Sequence, residues 1–134
     1  MSKKYILDTN VLIDIKRGTK GVREHVLKAN PENCFISAVS IAELETGYIL
    51  SKNEEELQNL NFCKEHYKII PVSEDILGVF SKIKADQILK GKKVPDFDLV
   101  IAATAKLMNC TVVTHDEKHF SLIDNIQRTD WIEP

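Results

Sequence analysis

Short apolar runs alternate with longer amphipathic segments along the chain, and this alternation predicts most of its elements. Strands are predicted at 4–8, 34–37, 68–71, 111–114 and about 126–130. Helices are predicted from residue 11 and at about 20–29, 40–51, 54–67, 73–90, 96–108 and 117–123. The strands are mostly apolar instead of alternating, which indicates parallel strands covered by helices on both faces, an α/β fold.

Several residues are predicted to begin, end or face the interior of these helices. Asn10 is predicted to cap the first helix and Ser73 the long fifth helix, because both side chains accept backbone hydrogen bonds at such positions. Asn109 suits the left-handed position after a helix. The inner face of the fifth helix is predicted to carry Ile76, Leu77, Phe80, Ile83 and Ile88.

The composition is that of an ordinary globular protein. The 134 residues are expected to form one domain, residues 1–134, with one core, and 43% of them are apolar. No run approaches the ~20 apolar residues of a membrane span, and no signal-peptide pattern is present. Three scattered cysteines form neither a zinc spacing nor a disulfide framework, so a cytoplasmic location is expected.

Four acidic residues lie at or near the ends of predicted elements: Asp8, Glu43, Asp98 and Asp116. Helices that follow parallel strands begin at one edge of the sheet, where ligands of α/β proteins bind. Four acids there would crowd together, and each pair at ~4 Å would cost about 1 kcal/mol in water and about 4 kcal/mol at an effective dielectric near 20. A divalent cation relieves that repulsion, and oxygen ligands suit Mg²⁺ or Mn²⁺.

Each acid also has a local explanation. Asp8 suits a turn, Ser40-x-x-Glu43 matches a capping box, and Asp116 suits a helix cap. Asp98 lies in a first helical turn, where the dipole favours a negative charge by about 0.3–1 kcal/mol. That benefit is smaller than the repulsion expected if the four cluster, so a shared metal is the stronger interpretation.

Neighbouring residues are assigned supporting parts. Asp96 is interpreted as a helix cap or a group behind the metal ligands, and Thr114 as a hydrogen-bond partner of an acid or of a metal-bound water. His115 and His119 flank Asp116, but without a further zinc ligand set they are expected to serve structure or substrate contact. The net charge of −2 argues only weakly against nucleic-acid binding, because basic stretches remain, among them Lys92 and Lys93.

Four segments resemble those of a PIN-domain nuclease of the VapC type, the toxin of a bacterial or archaeal toxin–antitoxin pair. Each segment holds one of the four acids, and together they span nearly the whole chain: 6–13, 37–47, 98–105 and 114–120. The resemblance implies a three-layer α/β/α sandwich with parallel strand order 3-2-1-4-5. It also implies that Asp8, Glu43, Asp98 and Asp116 carry the metal site, with Thr114 and Asn10 in support.

The implied activity is hydrolysis of RNA phosphodiesters with Mg²⁺, for which Mn²⁺ can substitute. Lys92 and Lys93 are candidates for contact with the RNA backbone. The resemblance further implies a homodimer and a cognate antitoxin that docks a helical segment, with the helices at 40–67 as candidate docking surfaces.

Other function classes share parts of this pattern. A receiver domain needs an acceptor Asp after the third strand, where this chain has Ile70-Pro71. A haloacid-dehalogenase-like phosphatase needs Asp-x-Asp after the first strand, where this chain has Asp8-Thr9-Asn10. A housekeeping RNA-processing nuclease and a PIN-fold binding module without chemistry remain open.

Overall fold

Five short parallel strands form the centre of the protein, for which a computed structural model describes residues 2–133. The strands are β1 (Tyr5–Leu7), β2 (Cys34–Ser37), β3 (Lys68–Ile70), β4 (Thr111–Val113) and β5 (Arg128–Thr129). They are all paired in parallel in the order β3-β2-β1-β4-β5, as the family resemblance implied. The order reverses at β1, where Leu7 pairs with Val113 of β4. The residues that follow these two strands therefore begin side by side.

Seven α-helices among residues 2–133 cover the sheet. They are α1 (Thr9–Arg17), α2 (Val22–Ala29), α3 (Ala38–Ser51), α4 (Glu54–His66), α5 (Glu74–Leu89), α6 (Asp96–Met108) and α7 (Glu117–Phe120). Ile6 of β1 packs in a core formed with α5 and α6, and its neighbour Leu7 packs in a second core with α1, α2 and α4. Successive strand residues point to opposite faces, so the two cores confirm the predicted three layers. None of the helices within the described residues is long and apolar enough to cross a membrane.

Two of the predicted helix starts are wrong. Asp8, not Asn10, caps α1, and its Oδ1 accepts a hydrogen bond from the backbone N–H of Thr9 at 2.8 Å. Ser37 caps α3, so Ser40 already lies inside that helix and Ser40-x-x-Glu43 is not a capping box. In both places the helix begins as soon as the strand ends, earlier than the side-chain pattern suggested. The caps at Ser73 and Asn109 are confirmed.

The inner face of α5 is narrower than predicted. Ile76 and Ile83 are buried, whereas the side chains of Leu77 and Ile88 are 45% and 67% exposed. At 3.6 residues per turn, Leu77 and Ile88 lie roughly a third of a turn away from the buried line through Ile76 and Ile83. The prediction that Leu77 and Ile88 face the core is therefore wrong.

Helix α6 provides a test of the packing, because it carries one fully buried and one exposed branched residue of equal size. Ile101 is 0% exposed and Leu107 is 47% exposed. We expect Ile101→Ala to lower the free energy of unfolding by about 2–5 kcal/mol and Leu107→Ala by less than about 1 kcal/mol. Urea denaturation of the two variants measures both values. Equal losses would contradict the packing described here.

Candidate metal centre

Asp8 is the buried centre of the site. It follows β1 directly, its side chain is almost inaccessible, and it lies beside the end of β4. Its Oδ2 accepts a hydrogen bond from Thr114 Oγ1 at 3.0 Å, while its Oδ1 accepts the bond from Thr9. Asp8 is thus held by one group from each of the two neighbouring strand ends. The predicted bond between Thr114 and an acid is confirmed.

Asp116 is attached to the same strand end as Thr114. Its backbone N–H donates to Thr114 Oγ1 at 2.9 Å, so a single hydroxyl bridges Asp8 and the segment that carries Asp116. The Oδ1 of Asp116 accepts the backbone N–H of His119 at 3.0 Å and caps α7. The local explanation of Asp116 as a helix cap is therefore correct, and it coexists with a place in the site.

Glu43 reaches the site from α3. Thr9 Oγ1 donates to Glu43 Oε1 at 2.8 Å and lies 3.0 Å from Ser40 Oγ. The backbone N–H of Thr9 donates to Asp8, so Thr9 connects Glu43, the most exposed acid of the group, with Asp8, the most buried one. No sequence pattern assigns Thr9 a part in the site, and its position directly after a strand-end Asp is the one signal that could have indicated it.

Asp98 and His119 complete the cluster. His119 Nδ1 lies 2.6 Å from Asp116 Oδ2 and 3.4 Å from Asp98 Oδ2. Ligand atoms of Asp98, Asp116 and His119 lie within 4.8 Å of one another. His119 thus contacts two of the four acids. His115 does turn away, with its Nδ1 2.6 Å from Asp130 Oδ2.

The electrostatics show that the acids act on one another. Burial raises the pKa of Asp98 to about 6, and the charges of Asp8 and Asp116 add to that rise, with His119 opposing it. Burial also raises the pKa of Asp8, against the hydrogen bonds from Thr114 and Thr9. Asp116 and Glu43 raise the pKa of Asp8 further. The four predicted acids are thus brought together at one edge of the sheet.

The donor atoms of this cluster fit a divalent metal ion. Carboxylate oxygens are the ligands that hard cations prefer, and an imidazole nitrogen is accepted by many transition metals. A positive charge between Asp98, Asp116 and Asp8 would favour the ionised form of each carboxyl and cancel the repulsion between them. The cluster can therefore bind a divalent metal.

The remaining predicted residues lie at the edges of the site. Asp96 is the first residue of α6, after Pro95 at the cap position, and its Oδ1 pairs with Lys84 Nζ at 2.6 Å. The interpretation of Asp96 as a cap is therefore wrong, because Pro95 occupies the cap position and Asp96 is the first helical residue. Asn10 is an exposed residue of the first turn of α1, in a cleft that Asp116 also lines.

Comparison with known proteins agrees with this geometry. The family model described as PIN domain matches residues 5–126. The chain is 29% identical over 130 residues to a protein named Ribonuclease VapC1 from Haemophilus influenzae, covering 95% of this chain and 97% of that one. It is 33% identical over 117 residues to Ribonuclease VapC1 from Methanocaldococcus jannaschii, covering 87% and 79%.

A solved structure described as VapBC2 from Rickettsia felis bound to a DNA fragment from its promoter has the same fold. Its matching chain superposes with a TM-score of 0.85 at 27% identity, covering 95% of this chain and 98% of that one.

The raised pKa of Asp98 predicts how the stability of the metal-free protein depends on pH. In the folded protein the Asp98 carboxyl has a pKa of about 6 and binds a proton once the pH falls below that value. In the unfolded chain it binds a proton only near its ordinary pKa of 3.8. The folded state gains stability as the pH falls through that window. At pH 7 in EDTA we expect Asp98→Asn to be more stable than the wild type, by on the order of 1–3 kcal/mol.

Urea denaturation in EDTA at several pH values between 7 and 4.5 measures this difference. The advantage of Asp98→Asn should shrink steadily as the pH falls, because the wild-type carboxyl becomes neutral in the folded state. A difference that stays constant across the range would contradict the raised pKa.

Proposed function

The chain belongs to the PIN-domain family, and from that premise we propose that it is a metal-dependent endoribonuclease, the toxin of a toxin–antitoxin pair. The observation that carries the proposal is the meeting of Asp8, Glu43, Asp98 and Asp116 at one edge of the sheet. A binding module would have no use for four mutually repelling carboxylates, because their crowding costs stability. The names of the two VapC1 relatives support ribonuclease activity.

Asp8, Asp98 and Asp116 are the proposed ligands of Mg²⁺, with Glu43 completing the group and Mn²⁺ as a substitute. When bound, the ion lowers the pKa of a coordinated water and stabilises the charge that develops on the phosphate. The protein contributes the arrangement of the ligands. Thr114 holds Asp8 and the backbone of Asp116 through one hydroxyl, so the two carboxylates keep a fixed spacing.

Glu43 is the proposed acceptor of the proton from the attacking water. Its Oε1 accepts the Thr9 hydroxyl, and its Oε2 accepts no hydrogen bond from a protein group among residues 2–133. Glu43 is also the most accessible of the four acids, so a water and a phosphate can both approach it. The water oxygen forms the new bond to phosphorus, and the bond to the leaving sugar oxygen breaks.

His119 is proposed to position Asp116. Its backbone N–H and its ring nitrogen lie 3.0 Å and 2.6 Å from the two oxygens of that carboxylate. Two contacts from one residue fix the rotation of the Asp116 side chain. The orientation of the Asp116 carboxylate is thereby set by the short helix α7, which carries His119.

An antitoxin is the proposed protein partner. The sequence placed its docking surface on the helices at 40–67, and we propose that its helical segment binds a groove lined by α4, from that range, together with α1 and α2. Leu27 of α2 is 74% exposed and Phe62 of α4 is 46% exposed, and both line a groove with Ile15 of α1. Exposed apolar side chains in a groove are typical of a surface that receives an amphipathic helix. The VapBC2 complex from Rickettsia felis supports a partner of this class.

We also propose a homodimer and a cytoplasmic location. Ile49 and Leu50 near the end of α3, and Leu89 at the end of α5, are exposed apolar side chains that a second copy could cover. Cys34, Cys63 and Cys110 are all free thiols, as expected in a reducing compartment. The sheet and its helical layers are proposed to act as a single domain.

RNA cleavage tests the catalytic part of the proposal. We expect purified protein to cut RNA in Mg²⁺ or Mn²⁺, to stop in EDTA, and to lose at least about 100-fold in rate on Asp98→Asn, because one ligand charge is removed. Asp75→Asn is the matched control, an exposed acid in the first turn of α5 as Asp98 is an acid in the first turn of α6. It should keep its rate within about threefold. Cleavage that persists in EDTA would refute metal dependence.

Expression in bacterial cells separates a toxin from a housekeeping nuclease. We expect the wild type to arrest growth and Asp98→Asn to be harmless at equal protein levels. Co-expression of a small protein encoded beside the gene should restore growth and co-purify with the toxin. Active nuclease without growth arrest would favour the housekeeping alternative.

A further inference from the structure

A groove lies directly beside the metal centre, on the side of α5 and α6. His119 lines this groove and also contacts Asp98 and Asp116, so the two sites share a side chain. Whatever occupies the groove therefore lies next to the acids. The cavity is about 540 Å³, and it is open to solvent along one side.

Four lysines line the groove, and two of them contact a carboxylate. Lys84 Nζ is 2.6 Å from Asp96 and Lys92 Nζ is 3.9 Å from Asp124. Lys93 and Lys118 are exposed, and neither has a carboxylate within 4.0 Å among residues 2–133. The charges of Lys93 and Lys118 are therefore available to an anionic ligand, while the other two are already partly neutralised.

The floor of the groove is apolar. It is built from Ile88, Val94, Pro95 and Leu99. Ile88 is one of the two α5 residues that were predicted to face the core and are exposed, and it lines this groove. An apolar surface between unpaired lysines fits a ligand with a flat apolar face and an attached negative charge, which is the chemistry of a nucleotide.

Gln87 adds a fixed polar group to the same groove. Its side chain is 2% exposed, and its Nε2 donates to the backbone carbonyl of Leu122 at 3.1 Å. Its amide oxygen accepts no hydrogen bond from another described residue, and no buried side-chain polar atom in that part of the chain lacks a partner. The oxygen is therefore not fully enclosed, although the residue as a whole is 2% exposed, and it is the group of Gln87 that can accept a hydrogen bond from an amino group of a base.

From these observations, and resting on the proposed ribonuclease function, we propose that the groove binds an unpaired nucleotide next to the phosphate that is cleaved. Lys93 and Lys118 contact phosphate groups, the apolar floor packs against the base, and the Gln87 amide contacts its edge. The base must leave a double helix to reach the floor, so the groove selects single-stranded or looped RNA. Lys93 was already a candidate from the sequence, and the groove adds Lys118; Lys92 lies in the same groove with its Nζ 3.9 Å from Asp124.

Binding of a short fluorescent single-stranded RNA tests the lysines. The measurement uses the full chain with Asp98→Asn and Mg²⁺, so that RNA is held without being cut, and records anisotropy across a KCl series. Each phosphate contact contributes about 0.7 to the slope of log K against log salt for single strands. Lys93→Ala with Lys118→Ala should therefore lower the slope by about 1.4, and a duplex of the same sequence should bind more weakly.

Two matched controls accompany this pair. Lys84→Ala with Lys92→Ala removes the same charge from the same groove at positions already paired with carboxylates, and it should change the slope by clearly less. Lys28 lies on α2, in the layer on the other face of the sheet, so Lys28→Ala should leave the slope unchanged. An equal effect of both lysine pairs, or equal binding of duplex and single strand, would overturn the proposal.

Cleavage of a pool of single-stranded RNA with random sequence tests Gln87. Gln87→Met retains the length of the side chain without the amide, and it should change the base preference at one position beside the cut. Lys93→Ala with Lys118→Ala should slow all cuts without changing that preference. An unchanged preference in a Gln87→Met protein that melts like the wild type would refute the role of Gln87.

The outcomes also separate this proposal from the ribonuclease function on which it rests. If the wild type cuts RNA but the lysine pair leaves the salt slope intact, the groove assignment fails and the function stands. If no RNA is cut yet the slope falls as expected, the groove binds RNA and the catalytic proposal fails.

Discussion

The parallel pairing of β1 with β4 is the constraint on which the rest of the site depends. It aligns Leu7 with Val113, so that Asp8 and Thr114 leave the sheet together at the point where strand order reverses. Residues 106 positions apart in the chain then share a hydrogen bond. Helices α3 and α6 begin near the same edge and add Glu43 and Asp98. The topology of the sheet thus concentrates negative charge that no local segment would gather.

The hydrogen bonds around the acids hold this unfavourable arrangement in place. Asp8 is buried and close to other carboxylates, which raises its pKa, yet the bonds from Thr114 and Thr9 act in the opposite direction and stabilise its ionised form. His119 has the same effect on Asp98. The cluster is therefore preorganised for a cation, with carboxylates that are held in position and incompletely neutralised. Stability given up at such a place is typical of a functional site.

The order of the elements and the four acids could be predicted, because apolar periodicity and strand-end carboxylates are local signals. The strand order and the roles of the acids came from the family resemblance, and the sheet agrees with them. The caps at Asn10 and Ser40 were misplaced, because strand and helix follow each other without a loop. The contacts of His119 with the acids, and any part for Thr9, could not be predicted because tertiary structure sets their partners. The pairing of Lys92 with Asp124 likewise depends on a tertiary contact.

The most direct test is a crystal structure of the protein grown with Mn²⁺, with anomalous diffraction recorded at the manganese edge. The account predicts a strong anomalous peak about 2.0–2.3 Å from carboxylate oxygens contributed by at least two of Asp8, Asp98 and Asp116. A map with no peak among these carboxylates at saturating Mn²⁺, or with its strongest peak on another surface, would contradict it.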